Sequence, residues 1–582
     1  MDKYNPNIEA VNYFLSPHNT QQKRYCALRA FFADNLSAEE VAEKYGYTKS
    51  TVYSMVRDFK AELADNPGKD PFFVPVSFGR KPLDVKYADT VCLLRKNNMS
   101  VPEIKASMDG LGMVISTQFI NSVLKKEGFA RLRRRDKISR SDVEAIDGLM
   151  KLEAEKTKML TFKKEETFFS ECLGIFAFLP VLSEYGIDKA IKHSLYPQTK
   201  AIRRLNAILC FLALKLISIK RYSADDLWCM DRGAGMFAGV NVLPKTAWFS
   251  SYSSSVTREM NLDFLRKLAG IWEENGLLGD TANIDFTAIP YWGDSDNLEN
   301  NWSGKRGKAL ASMLTILAQD PQNGIICYGD ATARHSNSSK QVLEFLDFHT
   351  PSGLKYLVFD SKMTTYQNLS QLNKRDIKFI TIRKRGSNVL KRINCFNEWK
   401  TVKIRRANGK HRNIQVYGET TTLKGYDGHV RQIFITGNGR IKPAILITND
   451  FESDVARIAQ KYARRWLVEK EISEHIEFFH LNRNSSGMVI KVDFDLTMTI
   501  LAHNLYRLLA MNFRGYEHCE AESIYNKFIN NSGEVEVRQN EIIVKLKKKR
   551  NLPYILEYFE HRVFSYPWIC DKPIKIEASS TT

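Results

Sequence analysis

An α/β core preceded by all-α modules is predicted by three patterns in this chain. Apolar residues recur at three- and four-residue spacing through residues 22–60, 100–129 and 145–278. Near residue 281 the period shortens, and strand-like runs alternate with short helices until about residue 385. A long apolar helix, LTMTILAHNLYRLLA, follows from residue 496.

The chain has 582 residues, enough for roughly three to five domains. With 43% hydrophobic and 26% charged residues, its composition is that of a soluble globular protein with sizeable cores. Lys and Arg number 85 against 66 Asp and Glu, which gives a net charge of +19 and a pI near 9.3. An excess of that size favours a polyanionic partner, most often nucleic acid. The nine cysteines are scattered without C-x-x-C spacing, which argues for reduced thiols and against structural zinc or a disulfide framework. The N-terminal MDKYNPNIEA lacks a basic-then-apolar leader, so a cytoplasmic, nucleoid-associated protein is expected. The most apolar run, LNAILCFLALKLISI, contains Lys215 and reads as a buried helix, so no membrane association is expected.

The front end reads as two tandem helix-turn-helix domains, at 1–68 and 83–140, joined by a linker at 69–82. In the first, Ser37 and Glu40 form a capping box, Gly46 ends that helix and Thr48 caps the next. That third helix would enter a major groove with Lys49, Ser50, Thr51 and Tyr53, while Arg57 reaches phosphate. In the second, Ser100 and Glu103 form another capping box, and Ser116 starts the helix TQFINSVLKK. Arg80 and Lys81 of the linker suit an extended arm in a minor groove. Arg131, Arg133, Arg134 and Arg135 suit phosphate contact. A helical domain then covers 141–278.

From residue 279 the order is three meandering strands followed by alternating helix and strand, that of a ribonuclease-H-like core. Its first part spans 279–385; a β-rich insertion with Ala-Asn-Gly and Gly-Asn-Gly turns spans 386–450; its second part spans 451–515, before a C-terminal region at 516–582. Asp285 falls in the first strand and Asp360 ends the strand KYLVFD, so the two are expected side by side. Downstream, Tyr462, Arg465 and Glu469 stand three and four residues apart, which on one helix gives one face.

Three carboxylates on such a scaffold suit two hard divalent cations, Mg²⁺ or Mn²⁺, about 3.5–4 Å apart, as phosphodiester cleavage requires. Asp285 would bridge them, with Asp360 and Glu469 completing the shells. Arg465 would clamp a phosphate, and Tyr462 would hydrogen-bond to the backbone or help position the attacking group. Asp330 is a rival carboxylate on the third strand. Asp493 and Asp495 are expected to cap the apolar helix.

NIDFTAIP around Asp285, YLVFDSKMTTYQNL around Asp360 and YARRWLVE ending at Glu469 resemble the bacterial insertion-sequence transposases of the DDE class. The resemblance is to the cut-and-paste branch with a Tyr-Arg-Glu-Lys signature and a β insertion in the core. Tyr, Arg and Glu match at the family's spacing; Ile476 stands in place of the Lys, leaving Lys470, Arg483 and Lys491 as nearby cations. The resemblance implies binding of terminal inverted repeats and metal-dependent hydrolysis at the transposon ends. The freed 3′-hydroxyls would then be joined to target DNA by a homodimeric synaptic complex. Should the route pass through a DNA hairpin, Trp399 is the residue to stack a flipped base. A transposase-derived DNA-binding regulator and a structure-specific nuclease of the same fold are the alternatives.

Overall fold

The computed structural model describes residues 20–65, 72, 85–129, 158–348, 353–384, 386, 389, 392–465, 474–483 and 488–580, apart from interruptions at 97–98, 111–112, 163–164, 221–225, 292–297, 304–307, 394, 406–410, 438–442, 561 and 563. Two compact units divide at Leu83 and Asp84.

The first unit contains α1 (Thr20–Phe32), α2 (Ala38–Tyr45) and α3 (Lys49–Asp65). Ser37 and Glu40 form the expected reciprocal capping box, and Gly46 leaves α2 at φ 61°, a left-handed conformation that glycine adopts without Cβ strain. Ala27, Leu28, Ala30, Val41, Val52 and Val56 close the small core.

The second unit opens with α4 (Val85–Lys96), α5 (Val101–Gly110) and α6 (Thr117–Lys126), packed around Val91, Ile104, Met108, Ile120 and Leu124. Ser116 caps α6 by accepting from Phe119 N. Next come β1 (Glu166–Ser170) and a helical stretch that includes α7 (Arg204–Leu216) and α8 (Arg258–Glu274). α7 is buried from Asn206 to Leu216. Its Lys215 is neutralised internally, with Nζ 2.9 Å from Asp495 and 3.1 Å from the Phe479 carbonyl. No helix among the described residues is long and apolar enough to cross a membrane.

The main sheet contains β2 (Thr281–Pro290), β3 (Asn300–Ser303), β4 (Lys308–Gln319), β5 (Ile326–Ala333), β6 (Tyr356–Phe359) and β7 (Lys378–Ile382), with α9 (Gln341–Phe348) and α10 (Tyr366–Lys374) between the later strands. β2 pairs antiparallel with β4 and parallel with β6. This mixed sheet with flanking helices is compatible with a ribonuclease-H-like core. The strands at 386–450 are β8 (Lys400–Arg405), β9 (His411–Thr422), β10 (His429–Thr436) and β11 (Ala444–Thr448). They do not form a separate sheet: β11 pairs with β7, so the insertion lengthens the core sheet to ten strands. α11 (Val455–Ala463) and α12 (Val489–Met511) follow.

Asp493 and Asp495 correct the expectation that they cap α12, since the helix already begins at Val489 and both lie inside it. Asp493 is buried and accepts from Ala331 N of β5 at 2.9 Å and from Asn261 Nδ2 at 2.8 Å. Tertiary partners, not a helix end, hold that carboxylate. A second sheet, in the order β1, β12 (Gly533–Val537), β13 (Ile542–Leu546), β15 (Pro573–Ala578), β14 (Phe564–Ser565), ties the helical stretch to the C-terminal region. Such long-range pairing has no local periodic signal, and the strand at 166–170 lies where helices alone are expected.

Candidate active site

The side-by-side position of two carboxylates follows from register. β2 and β6 run parallel with Ile284 opposite Phe359, so the next residues, Asp285 and Asp360, come at equivalent points of adjacent strands. Tyr356 to Phe359 are all buried, and the chain leaves the sheet at Asp360. The carboxyl edge of a parallel pair is where an α/β sheet presents functional groups. Asp360 Oδ1 accepts from Ser361 N at 2.6 Å and caps the short 3₁₀ turn Ser361–Met363. Asp285 is only 7% exposed, and its Oδ1 accepts from Phe286 N at 2.8 Å.

The other side of the site is the end of α11. Tyr462 lies in its last turn and Arg465 just beyond it; the helical face they are expected to share with Glu469 runs into residues 466–473, outside the described residues. α11 ends at Ala463, and the chain tightens, with Arg465 N donating to Tyr462 O at 3.0 Å. Two side chains of β2, two residues apart and therefore on one face, hold this turn. Asn283 Nδ2 donates to Arg464 O at 3.1 Å, and Asp285 Oδ2 accepts from Arg465 Nη1. Glu469 lies outside the described residues.

Tyr462 is buried beside this pair, with its ring centroid 5.6 Å from Arg465 Cζ. Burial raises its phenol well above the usual range; Arg465 pulls it down, while Asp360 and Asp285 push it up. The described site thus gathers Asp285, Asp360, Tyr462 and Arg465. Two further residues escaped the sequence reading. Lys362 sits two positions beyond Asp360, with Nζ 5.1 Å from the Phe286 ring centroid. Asn283 shares the Asp285 face, and its position two residues upstream is the signal that could have found it.

The donor set fits a hard divalent cation, because adjacent carboxylate oxygens are the ligands Mg²⁺ and Mn²⁺ prefer. Among the described residues no three His, Cys, Asp or Glu side chains form a metal-ligand group. Asp285 and Asp360 are two carboxylates of the expected three.

Other sequence-derived residues lie elsewhere. Lys49, Ser50, Thr51, Tyr53 and Arg57 are exposed on α3, Tyr53 at 54%. Lys49 pairs with Glu39 at 3.3 Å, Arg57 with Asp58 at 3.0 Å, and Thr51 bonds with the Thr48 cap. The contacts of Trp399 among the described residues lie within the insertion. Its Nε1 donates to Phe396 O at 3.0 Å and its ring packs with Phe396 and Tyr417 in the insertion's own apolar cluster. Asp330 is buried and bonded to Arg258, so its charge is already answered. Arg80, Lys81, Arg131, Arg133, Arg134 and Arg135 lie outside the described residues, as does Lys470. Lys491 directs its Nζ to Ser250 O at 3.3 Å.

No curated protein matches the chain. Residues 283–505 match the model of one protein family, described as the transposase DDE domain. The matched span starts two residues before Asp285 and includes Asp360 and Glu469.

Proposed function

We propose, from the match of residues 283–505 to the transposase DDE domain, that this chain binds the terminal inverted repeats of its own element, hydrolyses the ends and joins the freed 3′-hydroxyls to target DNA. Cleavage and joining of DNA are what the family implies. The observation that supports the finer reading is the register match that sets Asp285 beside Asp360, with Arg465 reaching Asp285 from the end of α11.

Asp285, Asp360 and Glu469 would hold two Mg²⁺ or Mn²⁺ ions, which supply charge neutralisation at the phosphate and a nucleophile active at neutral pH. The chain's own residues do the positioning. The β2–β6 pairing fixes the two aspartates. Arg465 offers a planar guanidinium suited to two phosphate oxygens. Lys362 adds a cation at the turn after Asp360, in place of the lysine that Ile476 does not supply. Burial keeps the Tyr462 phenol protonated, so it acts as a hydrogen-bond donor rather than as a base. The two modules α1–α3 and α4–α6 are helix-turn-helix readers of the repeats, and pairing two ends calls for a homodimer.

The test is an assay of the full chain with Mg²⁺ or Mn²⁺ and duplexes carrying the DNA that flanks its gene. Cleavage followed by joining is expected, with Asp285→Ala, Asp360→Ala and Glu469→Ala each inactive but still able to bind. Cleavage without joining would make the protein a nuclease; binding without cleavage would make it a regulator. Full activity in all three variants would sink the site assignment.

A further inference from the structure

We propose that α6 is a base-reading helix, held in one fixed orientation on the catalytic body, and that Gln118 and Asn121 are its specificity-determining residues. The inference rests on the reading of DNA as the substrate and adds which surface recognises it.

A shared register carries the argument. In α3, positions one, two, five, six and nine are Lys49, Ser50, Tyr53, Ser54 and Arg57, all exposed, while Val52 and Val56 at positions four and eight are buried. In α6 the same positions are Thr117, Gln118, Asn121, Ser122 and Lys125, all exposed, with Ile120 and Leu124 buried. α3 begins at Lys49 after α2 ends at Tyr45, α6 begins at Thr117 after α5 ends at Gly110, and each starts at a side-chain cap, Thr48 or Ser116. This is the frame in which a recognition helix leads into a major groove with its N-terminal residues.

The chemistry of the α6 face fits duplex DNA. No residue of α6 is acidic, and its last turn carries Lys125 and Lys126. The sequence then runs into Arg131, Arg133, Arg134 and Arg135. Ser122 already donates to Phe119 O at 2.8 Å, which leaves the Gln118 and Asn121 amides as the face's paired donor and acceptor groups. An amide of that kind matches adenine N7 and N6. Val114, in the turn before α6, is 84% exposed, and a methyl-bearing side chain there suits a thymine methyl.

The module is built into the catalytic body. Glu127, which follows α6, accepts through its carbonyl from Val489 N, the first residue of α12, at 3.0 Å. Ile490 of α12 belongs to the module's core. Lys96 donates to Val256 O, and Asp89 accepts from Glu259 N just beyond. α12 in turn bonds to β5 through Asp493, β5 pairs with β4, and β4 pairs with β2, which carries Asp285. Regular elements therefore connect the reading face to the catalytic strand without a break.

The experiment is selection from a pool of randomised duplexes by the full-length protein, with the recovered DNA sequenced. The wild type should enrich a motif. Gln118→Ala with Asn121→Ala should erase the preference over two to four adjacent base pairs and weaken motif binding at least about tenfold, leaving other positions unchanged. Lys125→Ala should instead weaken all duplexes alike and lower the salt dependence by about one counterion. Both positions are exposed, so a matching thermal melt shows that the variants fold. An unchanged motif in the double variant, or no motif from the wild type, would overturn the inference. Motif selection through these residues without cleavage upholds α6 and removes the transposase reading; cleavage with a motif indifferent to them does the reverse.

Discussion

Arg465 donates from Nη1 to Asp285 Oδ2, so the residue suited to a phosphate and the residue suited to a cation are bonded to each other. Both are buried, at 6% and 7% exposure, and a buried carboxylate needs a positive partner. Arg465 supplies that charge, and a divalent cation would supply it equally well. A cation held at Asp285 would compete with the guanidinium for the same carboxylate.

Stability measurements can test that exchange without DNA. Removing the guanidinium by Arg465→Ala should cost about 3 kcal/mol when divalent cations are chelated, because Asp285 stays buried with less compensation. Millimolar Mg²⁺ or Mn²⁺ should then raise the melting temperature of the variant more than that of the wild type, since a ligand of the folded state stabilises it. Equal increments in the two proteins would show that Asp285 is not a cation site.

Lys215 and Asp495 permit a cleaner test of buried charge. Lys215 is 5% exposed, and its partners are Asp495 and the Phe479 carbonyl. Asp495→Ala should destabilise the fold by about 3 kcal/mol in urea titration, because it strands an ammonium in the core. Lys215→Met combined with Asp495→Leu should recover most of that loss, since an apolar pair needs no charge compensation. Failure of the double variant to recover would mean that the pair also fixes how α7 meets α12.

These cases show which parts of the fold could be read from sequence. The Ser37–Glu40 box and the Gly46 stop depend on neighbours within a few residues, and they stand where local chemistry puts them. Asp285 and Asp360 were readable because strand period and flanking apolar residues mark both positions. The bond from Arg465 to Asp285 was not, since the two residues lie 180 positions apart in the chain. Asp493 likewise looks like a helix cap from its neighbours, but its partners lie on β5 and α8. Where a residue's strongest partner is remote, local pattern misassigns it.

The joint between α4 and α8 predicts a pH effect. Burial pushes the Asp89 carboxyl up from 3.8 to about 6, with Glu259 adding to the rise and Arg258, Lys96 and the Glu259 N–H opposing it. A carboxyl raised in the folded state binds its proton more tightly there than in the unfolded chain. Its contribution is thus fully present below about pH 4, is lost as pH rises through about 6, and stays lost above that. Asp89→Asn keeps an acceptor for the Glu259 N–H and removes the titration. Relative to this variant, the wild type should gain about 1–2 kcal/mol in urea denaturation between pH 8 and pH 5. A difference that is flat with pH would show that Asp89 does not titrate in the joint.

Fixing α6 to α12, and α12 to the sheet that carries Asp285, has a consequence for the DNA. The base pairs read by Gln118 and Asn121 and the phosphodiester that is cut must keep one spacing along the helix. Inserting a single base pair between them moves the cut by about 3.4 Å and rotates it by roughly a tenth of a turn, and five move it to the opposite face. Binding, which depends on the motif alone, should change little. Cleavage by the full chain should fall at least about tenfold with one or two inserted pairs, because a misplacement of a few ångströms removes the reacting phosphate from the catalytic groups. Recovery is expected only if the cut shifts to keep its distance from the motif, so mapping the cleaved position at nucleotide resolution decides the matter. A cut that stays at its original phosphate with undiminished rate would show that α6 moves relative to the sheet during catalysis.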